Sequence, residues 1–586
     1  MFSHQRIGTP VAVRRDQRSG TVVGARESAI DAGLAILEEG GNAIDAAVAA
    51  SLVAGVVEPT ETTLAGSGFM LIHDPESGPW SVEFGPRAPR LAHDRMYRLD
   101  PQLGPQGVVS LSATVGSENV DGARAAGVPR TLLGLLTAQD RWGVLPRQRI
   151  CKPAIAAAYD GFIADSWFVT NALSDLLRLR LDPAAARTFL ENGLPIGGLG
   201  SSALDLAGGD RARIRQPVLG ATLEEVARAP LSGLIDGAIA QRLVASSTEH
   251  GGLLSMEDMA YSAPEICRPM SRRFRDADVY VPTAPGGGTT LLQILSTWAT
   301  MFPHRATGHE SPQHARSLAL AIRHAFADRY HWLGDPDAVT VPTDELLGSH
   351  YIEELAALCE EGNDVPHWVE GQPWATYSGL AVHNPWMSTV KGAPVWSADT
   401  ATTPSSGTTH LSVADADGRV VSITHTAANH FGSGVMCPRT GLLFDAAMAW
   451  FNAVPGAANS IASGKRPLAN MSPALVARAN GQVTAVGASG GRRIISAVAQ
   501  VIINLVDGGV DAAHALSMPR LDASGRMVCL DAGRSGDLEA LDDLGAVVLP
   551  DFNDPFVLDL ARPNLAVSAA GHDPITSAIP SMAYSA

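Results

Sequence analysis

Ser405-Ser406-Gly407-Thr408-Thr409-His410-Leu411-Ser412-Val413, followed by Asp415-Ala416-Asp417-Gly418 and Val420-Val421-Ser422-Ile423-Thr424-His425-Thr426, is the stretch around which the chain is organised. Apolar residues alternate on both sides of the turn-forming Asp-Ala-Asp-Gly, which predicts a β-hairpin with Thr408 at the outer start of its first strand. Upstream, Thr400-Ala401-Thr402-Thr403-Pro404-Ser405-Ser406-Gly407 is small, polar and broken by proline, so it reads as an exposed loop. A loop that ends in glycine and meets threonine at a strand start is a place where a chain can cut itself.

Working outward, 586 residues suffice for a large core, either as roughly three to five domains or as one elaborated unit. The 46% apolar and 18% charged content is that of a soluble globular protein. A formal net charge of -17 argues against a nucleic-acid binder, which needs a clustered basic face. The densest basic run, Arg272-Arg273-Phe274-Arg275, reads as a solvated surface. Cys151, Cys267, Cys359, Cys437 and Cys529 are odd in number, far apart and without a C-x-x-C, so no disulfide framework, metal site or cofactor is expected. Met1 to Gly8 holds no apolar core of about 7–15 residues, so no secretory signal is read there and a cytoplasmic protein is expected. The apolar run Ala46 to Val57 is too short to span a bilayer, which argues against a membrane partner.

Ser28 to Glu39 carries Ile30, Leu34 and Leu37 at helical spacing and ends at Gly40-Gly41. Asn42 then caps a helix that is apolar nearly all round from Ala43 to Val57, the pattern of a helix held between layers. Thr62-Thr63-Leu64-Ala65-Gly66-Ser67-Gly68-Phe69-Met70-Leu71-Ile72 is a glycine-rich turn running into a buried strand. It lacks the Lys-Ser/Thr of a phosphate loop, and tight backbone packing explains its glycines better. Leu145 to Leu380 reads as helix-rich: Pro153 to Gly161, two helices broken at Pro230 within Leu223 to Val244, Leu291 to Met301, and Ser317 to Leu333. Gly371 to Gly407 reads as a connector. Beyond it come the hairpin, a strand Gly481 to Val486 and an apolar helix Ile494 to Val506, which are expected to share one sheet system with the first part rather than form a separate domain.

Two nucleophiles compete. Gly487-Ala488-Ser489-Gly490-Gly491 matches G-x-S-x-G between a strand and a helix, with Asp551 and His572 following in the order of an α/β-hydrolase. Against Ser489, little chain remains after it to carry the acid and the base. Thr408 is the alternative. An N-terminal threonine carries its own base, the α-amine, whose reference pKa of about 7.7–8.0 leaves a substantial neutral fraction at cytoplasmic pH. It must first be exposed by cleavage at Gly407-Thr408, which its own hydroxyl can perform by attacking the Gly407 carbonyl and forming an ester that water hydrolyses.

Further landmarks run the length of the chain. They include Ala35-Ile36-Leu37-Glu38-Glu39-Gly40-Gly41-Asn42-Ala43-Ile44-Asp45-Ala46-Ala47-Val48, Ala126-Gly127-Val128-Pro129, Asp160-Gly161-Phe162 and Pro285-Gly286-Gly287. Ala327-Asp328-Arg329, Leu333-Gly334-Asp335-Pro336, Phe431-Gly432-Ser433-Gly434, Lys465-Arg466-Pro467-Leu468 and Met471-Ser472-Pro473 complete the set. With Thr408-Thr409-His410 they resemble the γ-glutamyltranspeptidase family of N-terminal-nucleophile hydrolases. The resemblance implies an α/β protein with a four-layer αββα sandwich, cut into a large chain 1–407 and a small chain 408–586 that stay together, with a dimer of these as one possibility. It implies Thr408 as nucleophile and base, Thr426 as the hydroxyl that holds the amine, and the N–H groups of Gly490 and Gly491 as the oxyanion hole. Ser489 then becomes a neighbour of that hole.

The resemblance fails where the family clamps a glutamyl headgroup. Asp94, with Arg95 beside it, stands where the carboxylate-binding arginine is expected, and Ala428, beside Asn429, replaces an asparagine. Ala447 replaces a glutamine, Trp450 replaces the ammonium-binding aspartate, and Ala469-Asn470 replaces a pair of serines. A charged amino-acid headgroup buried without partners costs several kcal/mol. Glutathione and other γ-glutamyl amides are therefore expected to be poor substrates, and Arg95, Asn429, Trp450 and Asn470 are the candidates for orienting a different small molecule. Trp450 fits equally a plain core position. An enzyme of specialised, natural-product metabolism fits this pattern, whether it breaks an amide or, like family members linked to alkylproline units of lincosamide-type antibiotics, a carbon-carbon bond. A true glutathione-type hydrolase or transpeptidase, a non-catalytic binding descendant and the Ser489 hydrolase are the other readings.

Overall fold

In a computed structural model, residues 20–100, 114–197, 212–365, 407–525, 527–549, 560–569 and 572–578 are described. Two antiparallel six-stranded sheets form the centre. The first contains, in chain order, β1 (Gly20–Val23), β2 (Ser67–Asp74), β3 (Gly78–Phe84), β4 (Glu265–Cys267), β7 (Thr408–Asp415) and β8 (Val420–Thr426), arranged spatially as β1-β7-β8-β2-β3-β4. The second holds β5 (Met270–Phe274), β6 (Ala277–Val281), β9 (Ala474–Arg478), β10 (Gln482–Ser489), β11 (Arg562–Ala569) and β12 (His572–Ala578), arranged as β12-β11-β10-β9-β6-β5. Strands from before and after residue 407 contribute to both sheets, so the two parts of the chain share one sheet system.

Period-two alternation decides which layer each face meets. Leu411 and Val413 of β7 and Val421 and Ile423 of β8 join an apolar cluster with α1 (Glu27–Glu38), α2 (Ala43–Val57), α3 (Thr131–Trp142) and α4 (Arg147–Asp160). On the other face, Ala414 and Val420 pack with Leu475, Val483, Ala485 and Ala566 of the second sheet. That sheet turns its far side, including Val279, Val476, Val486 and Leu565, to α5 (Gly288–Met301), α6 (Pro312–Trp332) and α7 (Arg493–Val506). The result is helix, sheet, sheet, helix, the αββα sandwich.

Helix α2 is buried along its length apart from Gly55. Its start is secured twice over. Asn42 Oδ1 accepts from the N–H groups of Ile44 and Asp45 at 3.0 Å each, and Asp415 of the hairpin turn accepts from Ala43 N at 3.0 Å. At the glycine-rich turn, a Cβ on Gly66 would lie 2.1 Å from the Thr426 carbonyl oxygen and one on Gly68 2.6 Å from that of Thr424. These glycines serve close backbone packing against β8.

Two expectations are refined. The middle of the chain is helix-rich, but it also supplies β4, β5 and β6 to the central sheets and four two-residue strands, Phe162–Ile163, Leu190–Glu191, Leu194–Pro195 and Arg213–Ile214, to two small ones. Arg272 and Arg273 lie on β5, an edge strand, where charge discourages further pairing. Arg275 does not stay in solvent but pairs with the buried Asp507, Nε to Oδ1 at 2.8 Å. Of the connector Gly371 to Gly407, all but Gly407 lies outside the described residues. All five cysteines are free thiols. Among the described residues no helix is long and apolar enough to cross a membrane.

Candidate active site

Thr408 opens β7 directly opposite Thr426 at the end of β8, with Ser67 of β2 next in the row. It falls on the inter-sheet face with His410, Ser412 and Ala414. Its Oγ1 donates to the Gly407 carbonyl at 2.8 Å and meets Thr426 Oγ1 at 3.1 Å. The Thr426 hydroxyl donates to the same carbonyl and accepts from Ala428 N at 2.8 Å. Two hydroxyls thus converge on the bond that a self-cleaving chain would break. A Cβ on Gly407 would lie 2.6 Å from the Thr60 carbonyl oxygen and 2.8 Å from that of Asn429, so only glycine fits beside the threonine.

The N–H of Thr408 points elsewhere. It donates to Glu61 Oε2 at 3.2 Å. The same oxygen accepts from Arg562 at 3.0 Å, and Oε1 accepts from the Trp167 indole N–H at 2.9 Å. The turn carrying Glu61 is stitched to the loop after β8, because Ala427 N donates to the Glu61 carbonyl at 3.2 Å and Phe431 N to that of Pro59 at 3.1 Å. Glu61, Arg562 and Trp167 were invisible to motif reading. Glu61 sits one residue before the Thr62–Ile72 stretch, and an acid between threonines at the end of an apolar helix was its only trace.

The imidazoles nearby are structural. His410 bonds Thr424 Oγ1 through Nδ1 at 2.8 Å and Ser412 Oγ through Nε2 at 3.1 Å, with its ring against the backbone of Gly487. Burial, reinforced by His425, pushes His410 down to about 3. Burial alone does the same to His425, which bonds Thr62. Both are neutral at ordinary pH, and His410 faces Thr424 and Ser412 rather than Thr408. Glu58 beside Glu61 is pushed up to about 7 by burial, against the pull of Arg26.

Gly490 and Gly491 form the turn between β10 and α7, with φ of +134° and +63°, conformations that glycine adopts at little cost. A Cβ on Gly490 would lie 2.7 Å from Ala561 Cα, and Ser489 pairs with Arg562 across the strands. The glycine turn therefore adjoins Arg562, whose guanidinium reaches Glu61 and through it Thr408. The Ser489 triad does not assemble. His572 pairs with Ala569, which pairs with Gln482 at the opposite end of β10 from Ser489. At ~3.3 Å per residue this separates their backbones by roughly 20 Å. Asp551 lies outside the described residues.

The pocket candidates do not gather into one polar clamp. Trp450 is buried at 3% exposure in an apolar cluster with Phe69, Ala428, Ala446, Ala469 and Met471, and its indole N–H has no partner. Asn470, also buried, accepts from the Arg329 guanidinium at 3.2 Å, while its Nδ2 is unpartnered. Asn429 is buried in the loop that lies over Gly407. Arg95 is exposed, its backbone N–H donating to His93 Nδ1 at 3.3 Å, although the adjoining Met96 and Tyr97 are buried with Met448 and Phe451. Among the described residues no cluster of His, Cys, Asp and Glu could hold a metal ion.

Residues 29–546 match the family model of gamma-glutamyltranspeptidase. This chain belongs to the gamma-glutamyltranspeptidase family. It is 32% identical over 521 residues to the glutathione hydrolase proenzyme of Escherichia coli (strain K12), covering 86% of this chain and 80% of that relative. It is 30% identical over 520 residues to the acylase ACY 1 proenzyme of Pseudomonas sp. (strain SE83), covering 87% and 84%. Cephalosporin acylase from Bacillus halodurans shares the fold, with a TM-score of 0.74 over 98% of this chain and 97% of its own at 22% identity. The chain is thus an enzyme of the N-terminal-nucleophile hydrolase and transferase type, and both of these relatives are named as proenzymes.

Proposed function

We propose that this gamma-glutamyltranspeptidase-family enzyme cuts itself between Gly407 and Thr408, and that the freed Thr408 transfers or hydrolyses the acyl group of a small molecule that is not a γ-glutamyl amide. The observation that carries the first half is the convergence of Thr408 Oγ1 and Thr426 Oγ1 on the Gly407 carbonyl. In self-cleavage, Thr408 Oγ1 attacks that carbon while the Thr426 hydroxyl steadies the oxygen that gains negative charge. The C–N bond breaks, the nitrogen takes the proton that Oγ1 gives up and leaves as the new α-amine, and water hydrolyses the resulting ester.

In turnover, the α-amine takes the proton from Oγ1 as the hydroxyl attacks the substrate carbonyl. N–H groups of the Gly490-Gly491 turn stabilise the oxyanion. The ammonium returns its proton to the leaving group, and water or an acceptor amine then releases the acyl group. The non-glutamyl reading is supported by the Trp450 cluster, in which an indole stands at the position where the family resemblance implies an ammonium-binding acid. The likeness to a relative named as an acylase supports an acyl group other than glutamyl.

Thr408→Ala tests the nucleophile: the variant should stay a single chain and lose all turnover. Processed wild-type enzyme incubated with γ-glutamyl-p-nitroanilide tests the substrate half. Slow turnover is expected, and rapid release of p-nitroaniline would contradict the non-glutamyl reading.

A further inference from the structure

Resting on the reading of Thr408 as an N-terminal nucleophile, we propose that Glu61 is the positioning residue of the reaction, holding the freed α-amine of Thr408 and stabilising its ammonium form. Three donors converge on this carboxylate: Trp167 at 2.9 Å, Arg562 at 3.0 Å and the Thr408 nitrogen at 3.2 Å. Glu61 is 2% exposed, and two of its donors come from elements remote from the cleavage site, a helix (Ser166–Ser174) and strand β11. Arg562 also lies over the Trp167 ring, 4.9 Å from its centroid, so the two brace each other. Cutting the Gly407–Thr408 bond leaves these supports in place. The nitrogen that was an amide donor then becomes a base already hydrogen-bonded to a fixed acid.

The division of labour parallels a nucleophile, base and orienting carboxylate, with the first two on one residue. As Oγ1 bonds to the substrate carbon, its proton moves to the amine lone pair, and the ammonium shares an N–H with Glu61 Oε2. When the leaving group departs it takes that proton, and the amine is restored. Glu61 favours the ammonium and Arg562, on the same oxygen, moderates that preference. The other charged or titratable groups facing this corner are Glu58, with Arg26 and Asp165 behind it, and His430, edge-on to Trp167 at 6.2 Å with Asp175 and Arg178 beyond. The neutral His410 and His425 complete the surroundings on the sheet side.

The test is the pH dependence of acylation of self-cleaved enzyme by p-nitrophenyl acetate, with Thr408→Ala as the blank. In wild type, the acid limb reports the amine. In Glu61→Gln the limb should move down by about one pH unit and the plateau rate should fall at least about tenfold, because the ammonium loses its counter-charge. In Arg562→Gln the limb should move up by about one unit, because Glu61 is no longer neutralised. Glu58→Gln should retain a limb, since the titrating group is the amine. A merely structural role cannot move the limb in opposite directions. Limbs that stay put, or move the same way, overturn the proposal. If Glu61→Gln stays uncut, Arg562→Gln decides alone, and both staying uncut overturns it too. A blank that acylates like wild type would instead sink the Thr408 mechanism, so the two failures are distinguishable.

Discussion

The corner at Thr408 and the cluster at Trp450 are built on opposite principles. At Thr408, hydroxyls, a buried carboxylate and a guanidinium satisfy one another within 2.8–3.2 Å, on strands whose register is fixed by a hairpin. At Trp450, an indole lies among alanines and Met471 with its N–H unpartnered, and Asn470 has an unpartnered amide. On the proposed reading, the difference separates the enzyme's chemistry from its selectivity. Bond-making depends on a hydrogen-bonded array that tolerates little change, whereas an apolar wall can be recast one side chain at a time.

The largest test of that contrast is at Thr426. Its hydroxyl is one of two on the Gly407 carbonyl, so Thr426→Ala should slow self-cleavage by about 10²-fold, and Thr426→Ser should recover most of the rate. Gel densitometry of a time course after synthesis measures this, and cleavage at the wild-type rate in Thr426→Ala would break the comparison. Glu58 comes next. Its folded-state carboxyl is raised to about 7, so its stabilising contribution is complete below the ordinary carboxylate pKa of about 4.5 and is lost as pH rises through 7. Glu58→Gln should remove a loss of stability on the order of 3 kcal/mol between pH 5 and 8, read from urea midpoints. An unchanged slope would show that Glu58 is not held protonated.

In the apolar region, Trp450→Asp supplies an acid at the position where the family resemblance implies an ammonium-binding aspartate. Turnover of γ-glutamyl-p-nitroanilide should rise about tenfold over wild type, in line with roughly 1–3 kcal/mol for a charge-assisted hydrogen bond. No rise would mean that Trp450 only fills the core. The smallest effect belongs to the scaffold: Asn42→Ala removes the cap of α2 and should cost about 1 kcal/mol without altering processing. A change in cleavage rate there would show that the helix layer, not the hairpin, controls the corner.

Much of the fold was legible because its signals are local. The hairpin, helices α1 and α2 and the glycine turns follow from period, caps and backbone crowding, and Thr408 and Thr426 are opposed simply because the hairpin pairs them. What stayed hidden is what the sheets bring together from afar. Glu61 and Arg562 are at opposite ends of the chain, and no pattern in either neighbourhood announces the other. Strand β5 escaped because Arg272 and Arg273 on an edge strand mask its alternation. Arg95 was read from register with a family motif, but its side chain is exposed, while the buried guanidinium beside Asn470 is that of Arg329, from helix α6. In the uncut chain Thr426 contacts the Thr408 hydroxyl, while the Thr408 nitrogen donates to the carboxylate of Glu61.

The most direct measurement is the intact mass and N-terminal sequence of the purified wild-type protein under denaturing conditions. Two fragments, the smaller beginning Thr408-Thr409-His410, are the predicted result. A single persistent chain, or a cut at any other bond, would contradict the account.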